Sequence, residues 1–170
     1  MSLRDILIYP DDRLREIARP IDSFEPALAE LADDMFETMY QQRGIGLAAT
    51  QIDEHRRLFV VDVSEDRSGA FAFVNPEILA REGTVESEEG CLSIPEINET
   101  IMRAERIRVR AQDAKGQTFE QDLDGLLAIC VQHELDHLDG RLFIDYLSPL
   151  KQQRIRKKMQ KAARRERERV

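Results

Sequence analysis

The sequence predicts an α+β fold in which antiparallel β-sheets pack around a central helix, with a second helix near the N-terminus and a third at the C-terminus. Three observations carry that expectation. Residues 26–42 place apolar side chains at helical spacing, residues 106–123 alternate polar and apolar on either side of a turn, and residues 124–138 are apolar almost all round. A helix of that last kind is buried on every side, so the sheets must wrap it. With 170 residues the chain can bury one core without disulfides and is short for two domains.

The elements follow in order. Asp11 or Asp12 caps a short helix through Ile17, and Pro26 opens a longer one whose Leu28, Leu31, Met35, Phe36 and Met39 recur at three and four residues and form its core face. Gly44-Ile45-Gly46-Leu47-Ala48-Ala49-Thr50-Gln51 is too glycine-rich for a stable helix and too apolar for an exposed loop, so it runs close to something buried. Residues 58–63 and 70–74 read as strands, with Asn75-Pro76 breaking the second from residues 77–84. Residues 106–111 and 118–123 form a hairpin about Ala114-Lys115-Gly116-Gln117, and the buried helix runs from Asp124 to Leu138. Ser148 caps, and Pro149 begins, a charged helix to about Glu168; its apolar pair Ile155 and Met159 docks one face, and its last turns are expected to fray.

Composition excludes several classes. The apolar stretch at the start is too short for a signal peptide and no segment reaches the roughly 20 apolar residues of a membrane span, so the sequence reads as cytoplasmic, with no membrane partner. In such a compartment Cys91 and Cys130 are expected as free thiols, available for ligation or packing. The net charge of −8 is uneven: residues 151–170 carry ten Lys/Arg and two Glu, or +8, which leaves −16 for residues 1–150. A basic tail on an acidic body points to an anionic partner for the tail, RNA being the commonest in the cytosol.

The chemistry concentrates in His133-Glu134-Leu135-Asp136-His137. On a helix, His133 and His137 lie one above the other and can grip one divalent ion, and Glu134 beside them can act as a proton acceptor instead of a ligand. A catalytic site usually needs a third protein ligand. Cys130, three residues before His133, and Cys91, between Gly90 and Pro95 in an expected loop, are both candidates, and local spacing does not choose between them.

Three segments in this order, residues 44–51, Glu89-Gly90-Cys91-Leu92-Ser93-Ile94 and Gln132-His133-Glu134-Leu135-Asp136-His137, resemble the motifs of peptide deformylases of the bacterial, iron-using type, and the similarity extends from the first residues into the tail. The resemblance implies a catalytic domain over residues 1–150 with residues 151–170 as a basic helical extension. It implies Cys91, His133 and His137 as metal ligands, Glu134 as acid/base, and Gln51 with the Leu92 backbone N–H as oxyanion donors. It further implies that Gly44, Ile45, Gly46, Glu89, Leu126, Ile129 and Cys130 contact the substrate. The activity implied is removal of the formyl group from N-formylmethionyl peptides leaving the ribosome, with Fe2+ as usual cofactor, Zn2+, Ni2+ or Co2+ able to replace it, and the basic helix docking near the exit tunnel.

Around the site, Gln132 and Asp136 flank the histidines, and Glu89 and Arg103 are expected to pair near the pocket, as similar residues do in the family. Ser87 and Asn98 depart from forms common in bacterial relatives, an apolar residue and an arginine respectively, which bears on the pocket rim. Pro10 and His55 read as structural, His55 as solvent-exposed. Two rivals remain at this level: a metallopeptidase using the same helical motif, and a ribosome-binding module with a structural metal.

Overall fold

A computed structural model describes residues 2–169. The α+β architecture is as the sequence predicts. Helix α1 spans Pro26–Gln41, α2 Gly125–Leu138 and α3 Pro149–Glu168. Strands β1 (Gly46–Ala48), β2 (Leu58–Val61), β3 (Phe71–Glu82), β6 (Arg106–Gln112) and β7 (Thr118–Asp124) form a five-stranded antiparallel sheet in the order β1-β2-β3-β6-β7, while β4 (Val85–Cys91) and β5 (Ile94–Arg103) form a separate hairpin.

Strand β2 shows why its sequence is apolar without alternation. Leu58 and Val60 pack with Leu31, Met35 and Met39 of α1, whereas Phe59 and Val61 pack with Val131, Leu135 and Leu138 of α2. All four are fully buried because the sheet has a helix on each face. A third cluster joins Leu7 and Leu14 near the N-terminus to Ile94 and Ile101 of β5, Phe143, and Ile155 and Met159 of α3. The basic helix is thus fixed to the body by the apolar pair expected to dock it; Ser148 caps it by accepting a bond from the Lys151 N–H at 3.2 Å, and it stays helical as far as Glu168.

Three local expectations need correction. Asn75-Pro76 does not break a strand: β3 continues through it, with a bulge between Val74 and Glu77 that takes Pro76, which lacks an N–H, out of the ladder. Asn75 adopts φ +50° there and ties the bulge down, its side chain accepting from the Ile21 N–H at 2.8 Å and donating to the Ile21 carbonyl at 2.7 Å and to Gln112 at 2.8 Å. Residues 88–95 are not a loop either. Cys91 ends β4, Leu92 and Ser93 make the turn, and Pro95 is tolerated because a two-stranded hairpin leaves β5 an edge that needs no donor. The first helix is a 3-10 turn ending at Arg15, after which the Ala18 N–H bonds to the Leu138 carbonyl at 2.8 Å.

Helix α2 is followed, after its cap at Asp139, by Gly140, whose φ of +75° suits glycine, and a Cβ there would lie 2.5 Å from the Arg15 carbonyl oxygen. This close approach fixes the end of the site-bearing helix against the N-terminal segment.

Because Ile155 is 6 % exposed within the third cluster, Ile155→Ala is expected to lower unfolding free energy by about 2–4 kcal/mol, as large-to-small changes in a core do. Urea unfolding of wild type and variant checks this.

Candidate metal and substrate site

Helix α2 presents one polar face to the interior. His133, Glu134 and His137 are 9 %, 4 % and 1 % exposed. The turn ending β4 brings Cys91 to them, so that Cys91 Sγ lies 3.3 Å from His137 Nε2, and one donor atom from each of Cys91, His133 and His137 falls within 4.8 Å of the others. Among the described residues no other group of His, Cys, Asp and Glu meets that condition. The sulfur and two ring nitrogens fit a divalent ion of borderline softness, since bonds of about 2.0–2.3 Å to one centre place such donors at these separations. Cys130, the competing candidate, stands apart from this set: its thiol points to the Ile45 carbonyl at 3.6 Å, and burial pushes it up, well above the ordinary thiol range.

Glu134 sits against the donor set with Oε1 buried and without a hydrogen-bond partner. Burial pushes its carboxyl up to about 7, only partly offset by the charge of neighbouring His133. A buried carboxyl poised near neutrality and free on one oxygen is suited to receiving and returning a proton. The strand beside it explains the glycine-rich segment. A Cβ at Gly46 would lie 2.8 Å from Cys130 Sγ and closer still to the Glu134 carboxylate, and a Cβ at Gly44 would lie 2.9 Å from the Leu92 side chain. Neither glycine has a positive φ, so close approach, not turn-making, is the reason for them.

Gln51 is 1 % exposed and its amide is oriented at both ends. Its Oε1 accepts from the Ala48 N–H at 2.9 Å, and its Nε2 donates to Ser93 Oγ at 3.0 Å and faces Cys91 Sγ at 3.6 Å. Beside these groups opens a cavity of about 520 Å³, lined by every residue expected to contact the substrate, Gly44, Ile45, Gly46, Glu89, Leu126, Ile129 and Cys130, and by Leu92. Ile45 and Leu126 flank its mouth at 42 % and 53 % exposure. Ser87 and Asn98 also line it, Ser87 buried and Asn98 exposed on the rim.

The sequence profile of the polypeptide deformylase family matches residues 3–153. The chain belongs to this family. It is 56 % identical to the peptide deformylase of Chromobacterium violaceum over 161 residues, covering 95 % of this chain and 96 % of the relative, and 56 % identical to that of Tolumonas auensis over 167 residues, covering 98 % and 100 %. The crystal structure of a peptide deformylase from Legionella pneumophila superposes with a TM-score of 0.92 at 48 % identity, covering 97 % of this chain and 98 % of the other. That of the Ehrlichia chaffeensis enzyme in complex with actinonin superposes with a TM-score of 0.91 at 37 % identity, covering 95 % and 98 %. Peptide deformylases are metal-dependent hydrolases that take the formyl group off N-formylmethionyl nascent polypeptides and release formate, and this chain is such an enzyme.

One partner in this deformylase site was not assigned from the sequence. His133 Nδ1 donates to Glu89 Oε1 at 2.8 Å, and Glu89 accepts two further bonds from Arg103, Nε and Nη2 each at 2.8 Å. Arg103 completes the chain by donating from Nη1 to Asp136 at 2.7 Å. The expected Glu89–Arg103 pair therefore exists, but it is buried, each side chain being 5–6 % exposed. Gln132 turns away from the donors and bonds the Ala104 N–H and carbonyl at 3.0 and 2.9 Å, pinning α2 to the β5–β6 turn. His55 is half-buried, contrary to expectation, because Asp53 and Glu16 hold its Nε2 at 2.8 and 3.0 Å.

Burial alone would raise the Glu89 carboxyl, but the bonds from Arg103 and His133 outweigh it and hold it down at about 2. A carboxyl depressed in the folded state contributes stability that is complete above the ordinary carboxylate range and is lost as pH falls towards 2. At pH 7, Glu89→Ala should therefore cost about 3–5 kcal/mol, the range for removing one partner of a buried pair. The difference from wild type should narrow at pH 3, as urea unfolding at both pH values would reveal.

Proposed function

We propose that Cys91, His133 and His137 hold the metal of this deformylase, that the resident ion is Fe2+ with Zn2+, Ni2+ or Co2+ able to replace it, and that Glu134 is the acid/base. The observation that carries this reading is the coincidence, beside one open cavity that Cys91, His133 and Glu134 line, of three N/S donors with a buried carboxylate oxygen that has no protein partner. When bound, a divalent ion here would polarise the formyl carbonyl and make a water acidic enough to attack near neutral pH. A thiolate donor favours such borderline ions and leaves Cys91 open to oxidation.

The remaining steps belong to the chain's own residues. Glu134 takes a proton from the attacking water and passes it to the amine that leaves. The formyl oxygen, as it gains charge, receives hydrogen bonds from Gln51 Nε2 and the Leu92 backbone N–H; Ala48 anchors Gln51 Oε1 so that this amide needs no reorientation. Glu89 holds the His133 ring through Nδ1, which leaves Nε2 as the nitrogen that would bind the metal. The substrate lies extended along Gly44-Ile45-Gly46, where β1 is the sheet's edge strand, with its methionine side chain against Ile45, Leu126, Ile129 and Cys130. Ser87 and Asn98 on the wall and rim set preference among the residues that follow formylmethionine.

The same reading assigns residues 1–150 to a catalytic domain and residues 151–170 to docking on the ribosome near the exit tunnel. Eight net positive charges on residues 151–170, joined to a body of sixteen net negative charges, support an anionic partner for this segment alone. No helix among the described residues is long and apolar enough to cross a membrane. A cytoplasmic location is part of the same proposal, since it is where a substrate leaving the ribosome would be met.

Glu134→Gln is expected to retain its metal while turnover of a formylmethionyl peptide falls by at least about a hundredfold. Metal content and formate release measured on one preparation decide it, and retained activity would remove Glu134 from its role. Exposed charges on α3 should give ribosome binding that weakens with salt, so charge reversal at Lys157, Lys158 and Lys161 is expected to reduce ribosome affinity at low salt and leave turnover of a free peptide unchanged. Unaltered affinity in a sedimentation assay would refute docking.

A further inference from the structure

A second cleft, of about 370 Å³, opens on another face of α2, the one that carries Gln132, Leu135, Asp136 and Asp139 at spacings of three and four. Its volume falls at the small end of the range for ligand sites, and it shares no lining residue with the substrate cavity. Its charges are unusual for an acidic chain. Asp136 and Asp139, the acids of its wall, are both neutralised, by Arg103 at 2.7 Å and Arg57 at 2.9 Å. Arg81 and Arg141, also in the wall and exposed, enter no ion pair among the described residues. Two guanidinium groups without a carboxylate partner among the described residues therefore line a concave space in a protein of net charge −8.

The cleft has an apolar side as well. Met102 and Tyr146 line it at 54 % and 49 % exposure, and the Arg103 guanidinium lies 5.2 Å from the centre of the Tyr146 ring, which leaves part of that ring open. One wall group connects the cleft to the donor set. Asp136 accepts from the Tyr146 hydroxyl at 2.9 Å and from Arg103, and Arg103 grips Glu89, which holds His133.

We propose that this cleft binds a small phosphate monoester carrying a flat ring, with Arg81 and Arg141 on the phosphate and Tyr146 and Met102 against the ring, and that occupancy reaches His133 through Asp136, Arg103 and Glu89. Arginine forks match a phosphate in two-point geometry, and because the wall's two aspartates are already paired with Arg57 and Arg103, no wall carboxylate is paired with Arg81 or Arg141. A ligand that reorients Tyr146 alters the bond at Asp136 and so the set of the Arg103–Glu89 pair behind the metal-binding ring.

The test uses the metal-loaded enzyme and phenyl phosphate as probe, with calorimetry for binding and formate release for turnover. Saturable binding is expected, weakened about ten-fold or more in the Arg81→Gln/Arg141→Gln variant, whose basal turnover should equal that of wild type and so also report that it is folded. Phenyl phosphate should change kcat for wild type and not for this variant. Should the double change misfold, each single variant is expected to weaken binding about three-fold. Absence of saturable binding, or equal affinity in wild type and variants with competitive inhibition, which would place the anion at the catalytic metal, overturns the site. Binding that leaves turnover unaltered overturns the coupling.

Discussion

Putting a polar helix face into the middle of a protein is costly unless every polar group on it finds a partner, and α2 carries Gln132, His133, Glu134 and His137 there, each less than 10 % exposed. Gln132 is satisfied by the β5–β6 turn and His133 by Glu89, whose own charge is balanced by Arg103. What is left over is the site itself. Glu134 Oε1 and His137 Nδ1 remain without protein partners, and the sulfur of Cys91 lies beside the ring of His137. A fold that also satisfied the Glu134 oxygen and filled the space between Cys91 and the two histidines would leave no place for the metal and the proton transfer proposed for this site.

The architecture around α2 serves this balance. The five-stranded sheet supplies one wall and the β4–β5 hairpin another, and only the hairpin's turn can bring a sulfur to a pair of histidines from outside the helix. Gly46 lets β1 approach Glu134 more closely than any side chain would allow, so the strand edge that borders the cavity lies against the Glu134 carboxyl. Gly140 does the same for the far end of α2 against the N-terminal segment. Rigid placement of α2 from both ends keeps the donors within bonding reach of one centre.

How much of this could be read beforehand depends on the range of the interaction. The helix α1, the α2 motif, the β6–β7 hairpin and the docking pair Ile155 and Met159 were legible because each is written in spacings of a few residues. The choice between Cys91 and Cys130 was not, since both are compatible with local geometry and the turn that sets Cys91 beside His137 lies 46 residues away in the chain; only likeness to a known family pointed to Cys91. Glu89 as partner of His133 was hidden for the same reason, a contact across 44 residues. The β3 bulge was missed because Asn75-Pro76 has the local chemistry of a stop, while the bonds from Ile21 and Gln112 that hold it within a strand come from distant segments. His55 looked like one more charged surface residue until Glu16 and Asp53 closed on it.

The most direct test is to purify wild type and Cys91→Ser without oxygen, load both with ferrous iron, and measure bound iron together with formate released from a short formylmethionyl peptide. The account predicts close to one iron per chain and rapid release for wild type, and weakened iron binding with turnover reduced by at least about a hundredfold for Cys91→Ser, the upper end of the loss seen on perturbing a metal site. Full iron content and undiminished release from Cys91→Ser would contradict it, because the sulfur that the hairpin delivers to α2 would then have no part in holding the metal.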